Sequence, residues 1–273
     1  MNISTTHGMV AVEDHGTGHS AVVFIHGNSA CKEVFAAQMR SALRASHRLV
    51  AIDLPGHGES EDARDPLRTY TIPGYADVVR EVLRALGIDR YVVVGWSLGG
   101  HIAIELASAE PRPLGLVITG TPPIGKTMES LGEAFQPTPL MQLTFKPEFT
   151  DEEALAYARG TSGSDVSIDD YRYRAARRAH GLARARMGAA VFEGLGADQR
   201  RTVEEVGVPL AIINGENDGF LNPAYFDKPR YANLWRGAVQ RIPESQHAPF
   251  LDQPDLYNGL LVSFCAEVLA AEK

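Results

Sequence analysis

Short apolar runs alternate with amphipathic stretches along the first part of the chain. The runs are rich in β-branched residues and predict buried strands, whereas the stretches between them repeat apolar positions at helical spacing. The predicted strands are a hairpin over residues 2–14 and runs at residues 21–25, 47–52, 91–94, 114–119, 209–215 and 238–242. This alternation predicts an α/β fold, with a mostly parallel eight-stranded sheet and helices on both faces.

The alternation stops after the sixth predicted strand. Residues 121–208 show no strand pattern and predict helices instead, one over residues 151–159 and a long one over residues 168–193. A helical insertion at the sheet edge from which functional loops emerge is typical of a cap over a site. We therefore divide the chain into a core, residues 1–120 and 209–273, and a helical cap, residues 121–208.

The fifth predicted strand leads directly into a helix through the sequence Gly95-Trp96-Ser97-Leu98-Gly99. So abrupt a turn forces the serine into a strained backbone conformation, and only small residues beside it leave room for the turn. Ser97 Oγ should then stand above the carboxyl edge of the sheet. The Leu98 N–H should lie at a helix N-terminus, where it is free to stabilise developing negative charge.

A serine is a weak nucleophile until a base takes its proton and a third group orients that base. In the order typical of this serine turn, the acid follows a later strand and the histidine comes last. Asp218 follows the seventh predicted strand and is the predicted acid, with Glu216 as its rival; His247 follows the eighth and is the predicted base. The main-chain N–H of Asn28, at the end of the strand beside the serine strand, is the predicted second oxyanion donor.

Net charge, cysteine content and histidine spacing argue against several classes of function. The 273 residues are 44% hydrophobic and carry a formal net charge of -8, which argues against a nucleic-acid surface and attraction to anionic membranes. Cys31 and Cys265 are expected to be reduced and packed, and the N-terminus lacks a signal-peptide pattern, so we expect a cytoplasmic protein. Apart from His15 and His19, no histidine pair has metal-ligand spacing, and no dinucleotide fingerprint follows a strand, so we expect neither metal nor cofactor.

An arginine-rich stretch in the cap has two interpretations. Its members are Arg172, Arg174, Arg177, Arg178, Arg184 and Arg186. They could bind phosphate or nucleic acid, but with an acidic chain we favour a solvated helix face paired with Asp169, Asp170 and other acids.

Several segments together resemble the α/β-hydrolase superfamily over nearly the whole chain. They are His26-Gly27-Asn28-Ser29, Asp53-Leu54-Pro55-Gly56-His57-Gly58, the serine turn through His101, and His247-Ala248-Pro249-Phe250. More narrowly, residues 118–123 and Asn233-Leu234-Trp235 resemble the metal-independent N-acyl-homoserine lactonases, which open the lactone ring of bacterial quorum-sensing signals. The resemblance implies a Ser97, Asp218 and His247 triad, an oxyanion hole at Asn28 and Leu98, and a cap tyrosine, Tyr157, that reaches the substrate.

The sequence therefore predicts a serine hydrolase with a small-molecule substrate, most simply an acyl-homoserine lactone. Trp96, beside the serine, and the cap residues Phe135, Met141 and Phe145 are the predicted substrate contacts. A carboxylesterase of small or aromatic esters is the main alternative, and a C–C bond hydrolase is another, since both use the same triad and only the cap selects the substrate. A ligand receptor on a vestigial hydrolase fold is the non-enzyme alternative. The oligomeric state is left open.

Overall fold

The computed structural model describes residues 1–16 and 20–270. Eight strands and twelve α-helices lie in this part of the chain. The strands are β1 (Asn2–Thr5), β2 (Gly8–His15), β3 (Ser20–Ile25), β4 (Arg48–Ile52), β5 (Arg90–Trp96), β6 (Gly115–Thr119), β7 (Leu210–Gly215) and β8 (Gln240–Ile242). The helices outside the β6–β7 segment are α1 (Ala36–Met39), α2 (Pro66–Thr69), α3 (Ile72–Ala85), α4 (Leu98–Ala107), α11 (Pro249–Asp252) and α12 (Pro254–Ala270). Short 3-10 helices add Lys32–Phe35, Ala42–Ala45, Pro223–Asp227 and Trp235–Gly237.

All eight strands form one sheet in the order β1-β2-β4-β3-β5-β6-β7-β8. β1 and β2 pair antiparallel, as do β2 and β4, and every other neighbouring pair is parallel. The predicted fold class, a mostly parallel eight-stranded sheet, is confirmed. Because parallel strands carry their carboxyl ends at one edge, the loops after β3, β5, β7 and β8 meet there.

Apolar side chains fill both faces of the sheet. On one face α3 and α4 bury residues such as Tyr75, Val79 and Ile102, all fully buried. On the other face the 3-10 helix near Phe35, α1 and α12 pack over the strands, with Phe264 fully buried. Strands that are covered on both faces read as near-continuous apolar runs, which is the pattern that the sequence shows.

Six helices lie between β6 and β7, which confirms a helical insertion after the sixth strand. They are α5 (Met128–Ala134), α6 (Pro139–Leu143), α7 (Asp151–Ser162), α8 (Tyr171–Arg178), α9 (Gly181–Phe192) and α10 (Gln199–Glu205). The predicted single helix over residues 168–193 is wrong, because it breaks at Ala179–His180 into α8 and α9. The His180 N–H leaves the helix to donate to Gly56 O at 2.8 Å, and a Cβ on Gly181 would lie only 2.0 Å from Pro147 O.

Within the described residues, no helix combines the length and apolar character that a membrane crossing requires.

Candidate active site

Ser97 lies at the turn between β5 and α4 in a strained conformation, with φ 53° and ψ −116°. The turn is possible only because glycines lie two residues before and two residues after the serine. A Cβ on Gly95 would lie 2.2 Å from Gly99 O, and one on Gly99 would lie 2.0 Å from Ile25 O. The turn is held by the Ser97 N–H, which donates to Thr119 O at 2.8 Å. A non-glycine residue that its surroundings hold in such a rare backbone conformation, at the end of a strand, is typical of a catalytic nucleophile.

Asp218 and His247 come together from two successive loops, after β7 and after β8. His247 Nδ1 lies 2.8 Å from Asp218 Oδ2, and both residues are buried. The second carboxylate oxygen accepts the Phe220 N–H at 2.9 Å, which orients the acid. An ionised carboxylate can only accept, so Nδ1 carries the ring proton and Nε2 keeps its lone pair. Glu216, the rival acid, is exposed and lies outside this pair.

The His247 imidazole is packed tightly on several sides. The Phe220 ring centroid lies 4.6 Å from it, and a Cβ on Gly120 would approach its Cε1 to 2.6 Å. Trp96 lies behind the histidine, with its Nε1–H donating to His247 O at 3.0 Å. The structure therefore corrects one predicted substrate contact. Trp96 is buried in the sheet core and supports the His247 loop rather than lining the cavity beside Ser97.

Ser97 and His247 line a cavity of about 300 Å³ beneath the cap helices. The predicted contacts Phe135, Met141 and Phe145 line the same cavity, together with Leu131, Met187 and Val191. Small-molecule sites commonly have this character, an apolar wall with a few convergent polar groups. Here the polar groups gather near the serine.

The predicted oxyanion donors, Asn28 and Leu98, both line the cavity, and Leu98 is the first residue of α4. The Asn28 side chain donates from Nδ2 to Thr144 O at 2.8 Å, which ties the β3 loop to the cap. Tyr157 also lines the cavity from α7 and is buried. Burial raises the pKa of the Tyr157 hydroxyl, while Thr144 and Asn28 beside it oppose that rise. The tyrosine therefore enters any reaction at neutral pH as a neutral hydrogen-bonding group.

One cluster of carboxylates in the described residues has metal-ligand spacing, formed by Glu33, Asp53 and Glu59. Its centre is taken by a lysine. Lys32 Nζ lies 2.8 Å from Asp53 Oδ2, 2.6 Å from Glu59 Oε2 and 3.1 Å from Glu33 Oε1. One buried ammonium pairs with all three carboxylates and occupies the space between them, so the cluster is an ion-pair network. His19, one of the two histidines noted for their spacing, lies outside the described residues.

The model of the Alpha/beta hydrolase family matches residues 22–260, which span all the elements that position Ser97, Asp218 and His247. The chain belongs to the Alpha/beta hydrolase family. A strained serine between strand and helix is what this fold places at the carboxyl edge of its sheet.

Two comparisons relate this hydrolase to lactonases and to esterases. The crystal structure of the N-acyl homoserine lactonase AidH complexed with N-butanoyl homoserine superimposes with a TM-score of 0.93 at 38% identity, covering 98% of this chain and 96% of that one. The pimeloyl-[acyl-carrier protein] methyl ester esterase of Nitrosospira multiformis is 29% identical over 262 residues, which are 93% of this chain and 97% of its own. The hydrolase resembles the N-acyl-homoserine lactonases, as predicted, and it is an ester or lactone hydrolase.

A third relative is named for a different reaction. The putative 2-succinyl-6-hydroxy-2,4-cyclohexadiene-1-carboxylate synthase of Bacillus subtilis is 26% identical over 98% of this chain and 99% of its own. Relatives of similar length are thus named for different reactions, so likeness of fold alone does not decide which reaction this chain performs.

One arginine of the arginine-rich stretch does not lie on the solvated helix face that the sequence predicts. Arg172, Arg177, Arg178 and Arg186 do pair with carboxylates near the surface. Arg184 is instead buried, 3% exposed, and donates to main-chain oxygens of the cap. Its position in an arginine-rich run carries no signal that separates it from its neighbours.

His101 is a residue of the cavity that the sequence analysis names only as the end of the serine-turn segment. The structure places His101 on the cavity wall, with Nδ1 2.7 Å from Gln199 Oε1. A usable signal was present, since residues four apart on a helix share a face and His101 follows Ser97 by four. Gln199, at the first position of α10, is remote in sequence and offered no such signal.

Proposed function

We propose that this hydrolase opens the lactone ring of N-acyl-homoserine lactones, an activity that silences quorum-sensing signals. The observation that carries the proposal is the superposition on AidH, which extends over 98% of this chain and so includes the cap. The cap covers the cavity and decides what fits beside the serine. A similarity limited to the α/β core would fit any ester hydrolase of this fold.

We assign the steps of the reaction to the three proposed catalytic residues, which is supported by the His247–Asp218 pair and by the cavity that Ser97 and His247 share. His247 Nε2 takes the proton from Ser97 Oγ as the oxygen attacks the lactone carbonyl carbon, and Asp218 stabilises the imidazolium that results. The main-chain N–H groups of Leu98 and Asn28 hold the oxyanion. The ring C–O bond then breaks, and His247 returns the proton to the leaving oxygen. Water, activated by His247, releases N-acyl-homoserine and restores Ser97.

A lactone poses a problem that an open-chain ester does not. The freed hydroxyl stays tethered to the acyl group near the ester carbonyl, so ring closure competes with hydrolysis at high effective molarity. We assign Tyr157 to drawing this hydroxyl aside, because it is a neutral hydrogen-bonding group buried in the same cavity. An adduct on Ser97 with the mass of the whole lactone is expected when turnover is quenched in acid.

The test of the proposal compares substrates and matched variants by proton release. The wild type should open N-hexanoyl-homoserine lactone with a higher kcat/KM than an open-chain methyl ester bearing the same acyl amide. Ser97→Ala should lower turnover by about 10⁴-fold or more. Asp218→Asn should be severe, whereas Glu216→Gln, an exposed control on the same loop, should be mild. Preference for the open-chain ester, or the reverse ranking of the two acid variants, contradicts the proposal.

The second candidate function is a methyl esterase, which the similarity to the Nitrosospira multiformis enzyme favours. Tyr157→Phe separates the two candidates. A lactonase should lose more lactone turnover than open-chain ester turnover, since only the lactone leaves a tethered hydroxyl. Equal losses on the two substrates, together with rapid hydrolysis of a pimelate methyl ester, would support the esterase instead.

A further inference from the structure

The cavity contains a second histidine, His101, that the proposed chemistry does not use. It lies on α4, four residues after Ser97, and lines the same cavity. Its surroundings there are apolar. The Phe135 ring centroid lies 6.3 Å from the imidazole, and Leu131 and Ile124 line the cavity with it. An imidazole in such a wall needs a partner for each ring nitrogen or a reason to keep one free.

One nitrogen of His101 has a fixed partner. Nδ1 lies 2.7 Å from Oε1 of Gln199, which is only 2% exposed and is anchored by its own N–H donating to Ile124 O. An amide oxygen can only accept, so Nδ1 carries the proton and Nε2 keeps its lone pair. Burial also lowers the pKa of His101 to about 4, which keeps the ring neutral at physiological pH.

The other nitrogen, Nε2, has no hydrogen-bond partner among residues 1–16 and 20–270, and it is not among the fully enclosed polar atoms that lack one. The half-buried ring therefore offers a single acceptor that remains accessible. The His101 N–H donates to Ser97 O at 3.2 Å, so the histidine lies one helical turn from the nucleophile, and both residues line the same cavity.

We propose that His101 Nε2 accepts a hydrogen bond from an N–H or O–H group on the acyl side of the substrate and so selects N-acylated lactones over plain ones. The inference rests on the proposed lactonase function. In an N-acyl-homoserine lactone the amide nitrogen is attached to the carbon next to the attacked carbonyl, which suits an acceptor one helical turn from the nucleophile. A 3-hydroxyl on the acyl chain is the other donor of the same chemistry. A site with a preset acceptor discriminates against substrates that leave it unpaired.

The experiment measures kcat/KM for N-hexanoyl-homoserine lactone, its 3-hydroxy analogue and γ-caprolactone, which lacks the amide. The variants are His101→Leu, which removes the acceptor, and His101→Gln, whose Oε1 restores one at similar reach. His101→Leu should lower the ratio of N-hexanoyl lactone to γ-caprolactone efficiency by about 3- to 10-fold, chiefly through KM, and His101→Gln should restore it. A loss confined to the 3-hydroxy substrate identifies the hydroxyl as the donor and also supports the proposal.

Two results would overturn the role of His101. One is an equal loss on all three substrates, which indicates a structural role. The other is a His101→Leu variant in which both N-acylated lactones keep their wild-type efficiency relative to γ-caprolactone. If His101→Leu folds poorly, Gln199→Leu tests the same acceptor by freeing the ring, and the same ratio should fall. Failure of the lactonase function is seen separately, as wild-type inactivity on both N-acylated lactones. The His101 comparison is then made on N-hexanoyl amino-acid methyl esters against methyl hexanoate.

Discussion

Arg184 is the cap residue whose replacement should matter most for stability. Its Nε donates to Lys146 O at 2.6 Å, and its Nη2 donates to Pro147 O at 2.7 Å. Nη1 reaches Ser29 Oγ at 3.2 Å on the β3 loop, and the guanidinium lies 4.0 Å from the Phe149 ring centroid. One buried side chain thus joins α9, the segment after α6 and the loop that carries Asn28.

The size of the effect follows from these contacts. Hydrogen bonds donated by a charged group each contribute about 1.5–3 kcal/mol. Arg184 is buried without a carboxylate partner among the described residues, and burial lowers the pKa of its guanidinium. Replacing it with an uncharged side chain therefore also removes the cost of burying that charge, which offsets part of the lost hydrogen-bond energy. We expect Arg184→Met to lower the free energy of unfolding by about 2–4 kcal/mol, a large share of the usual total. Activity should fall too, because the loop that carries Asn28 and the cap segment at Lys146 and Pro147 lose their common anchor.

The assay is equilibrium unfolding in guanidinium chloride, followed by circular dichroism, with kcat measured beside it. Arg174→Met is the matched control, because Arg174 lies on the neighbouring helix α8 and is exposed. It should change the free energy of unfolding by less than about 0.5 kcal/mol. If Arg184→Met is no more destabilising than this control, the buried guanidinium does not hold the cap to the core.

Three further predictions concern the site and its surroundings. Gly120→Ala should lower kcat by about 10²-fold, because the new Cβ would meet the His247 ring, and should lower the free energy of unfolding by about 1–2 kcal/mol, because alanine is strained at φ +64°. Steady-state kinetics on the folded variant check this, and an unchanged kcat would contradict it. Leu131 lines both the main cavity and a second cavity of about 90 Å³. Leu131→Trp should therefore lower kcat/KM for long acyl chains more than for short ones, by about 0.8 kcal/mol for each methylene that the new side chain excludes. An unchanged chain-length profile would place the acyl chain elsewhere. Burial lowers the pKa of His101 to about 4 and the pKa of His57 well below 6.5. As the pH drops through about 6.5, these histidines take up protons in the unfolded chain before they do so in the folded protein, so the free energy of unfolding should decrease at lower pH. His101→Gln should make that decline shallower in pH-dependent unfolding, and an identical slope would contradict it.

The amino-acid pattern determined by itself the local elements and the order of the candidate catalytic groups. β-branched runs form strands wherever they are buried, and the Gly95-x-Ser97-x-Gly99 turn admits only glycine where a Cβ would collide, so both features are written in consecutive residues. The assignments of Asp218 and His247 needed only their positions after β7 and β8. They remain predictions of role that the observed pair, 2.8 Å apart, supports.

Only the tertiary structure decided what lies around that pair. Trp96 turned away from the cavity because alternate residues of a strand face opposite sides of the sheet, and its neighbour Ser97 took the turn. The cap helix predicted through residues 168–193 broke where its backbone meets Gly56, and Arg184 was buried by elements far from it in sequence. His101 likewise gained its tautomer from Gln199, 98 residues away. Such contacts depend on how distant segments pack, and packing across a sheet or between cap and core leaves no periodic signal in the chain.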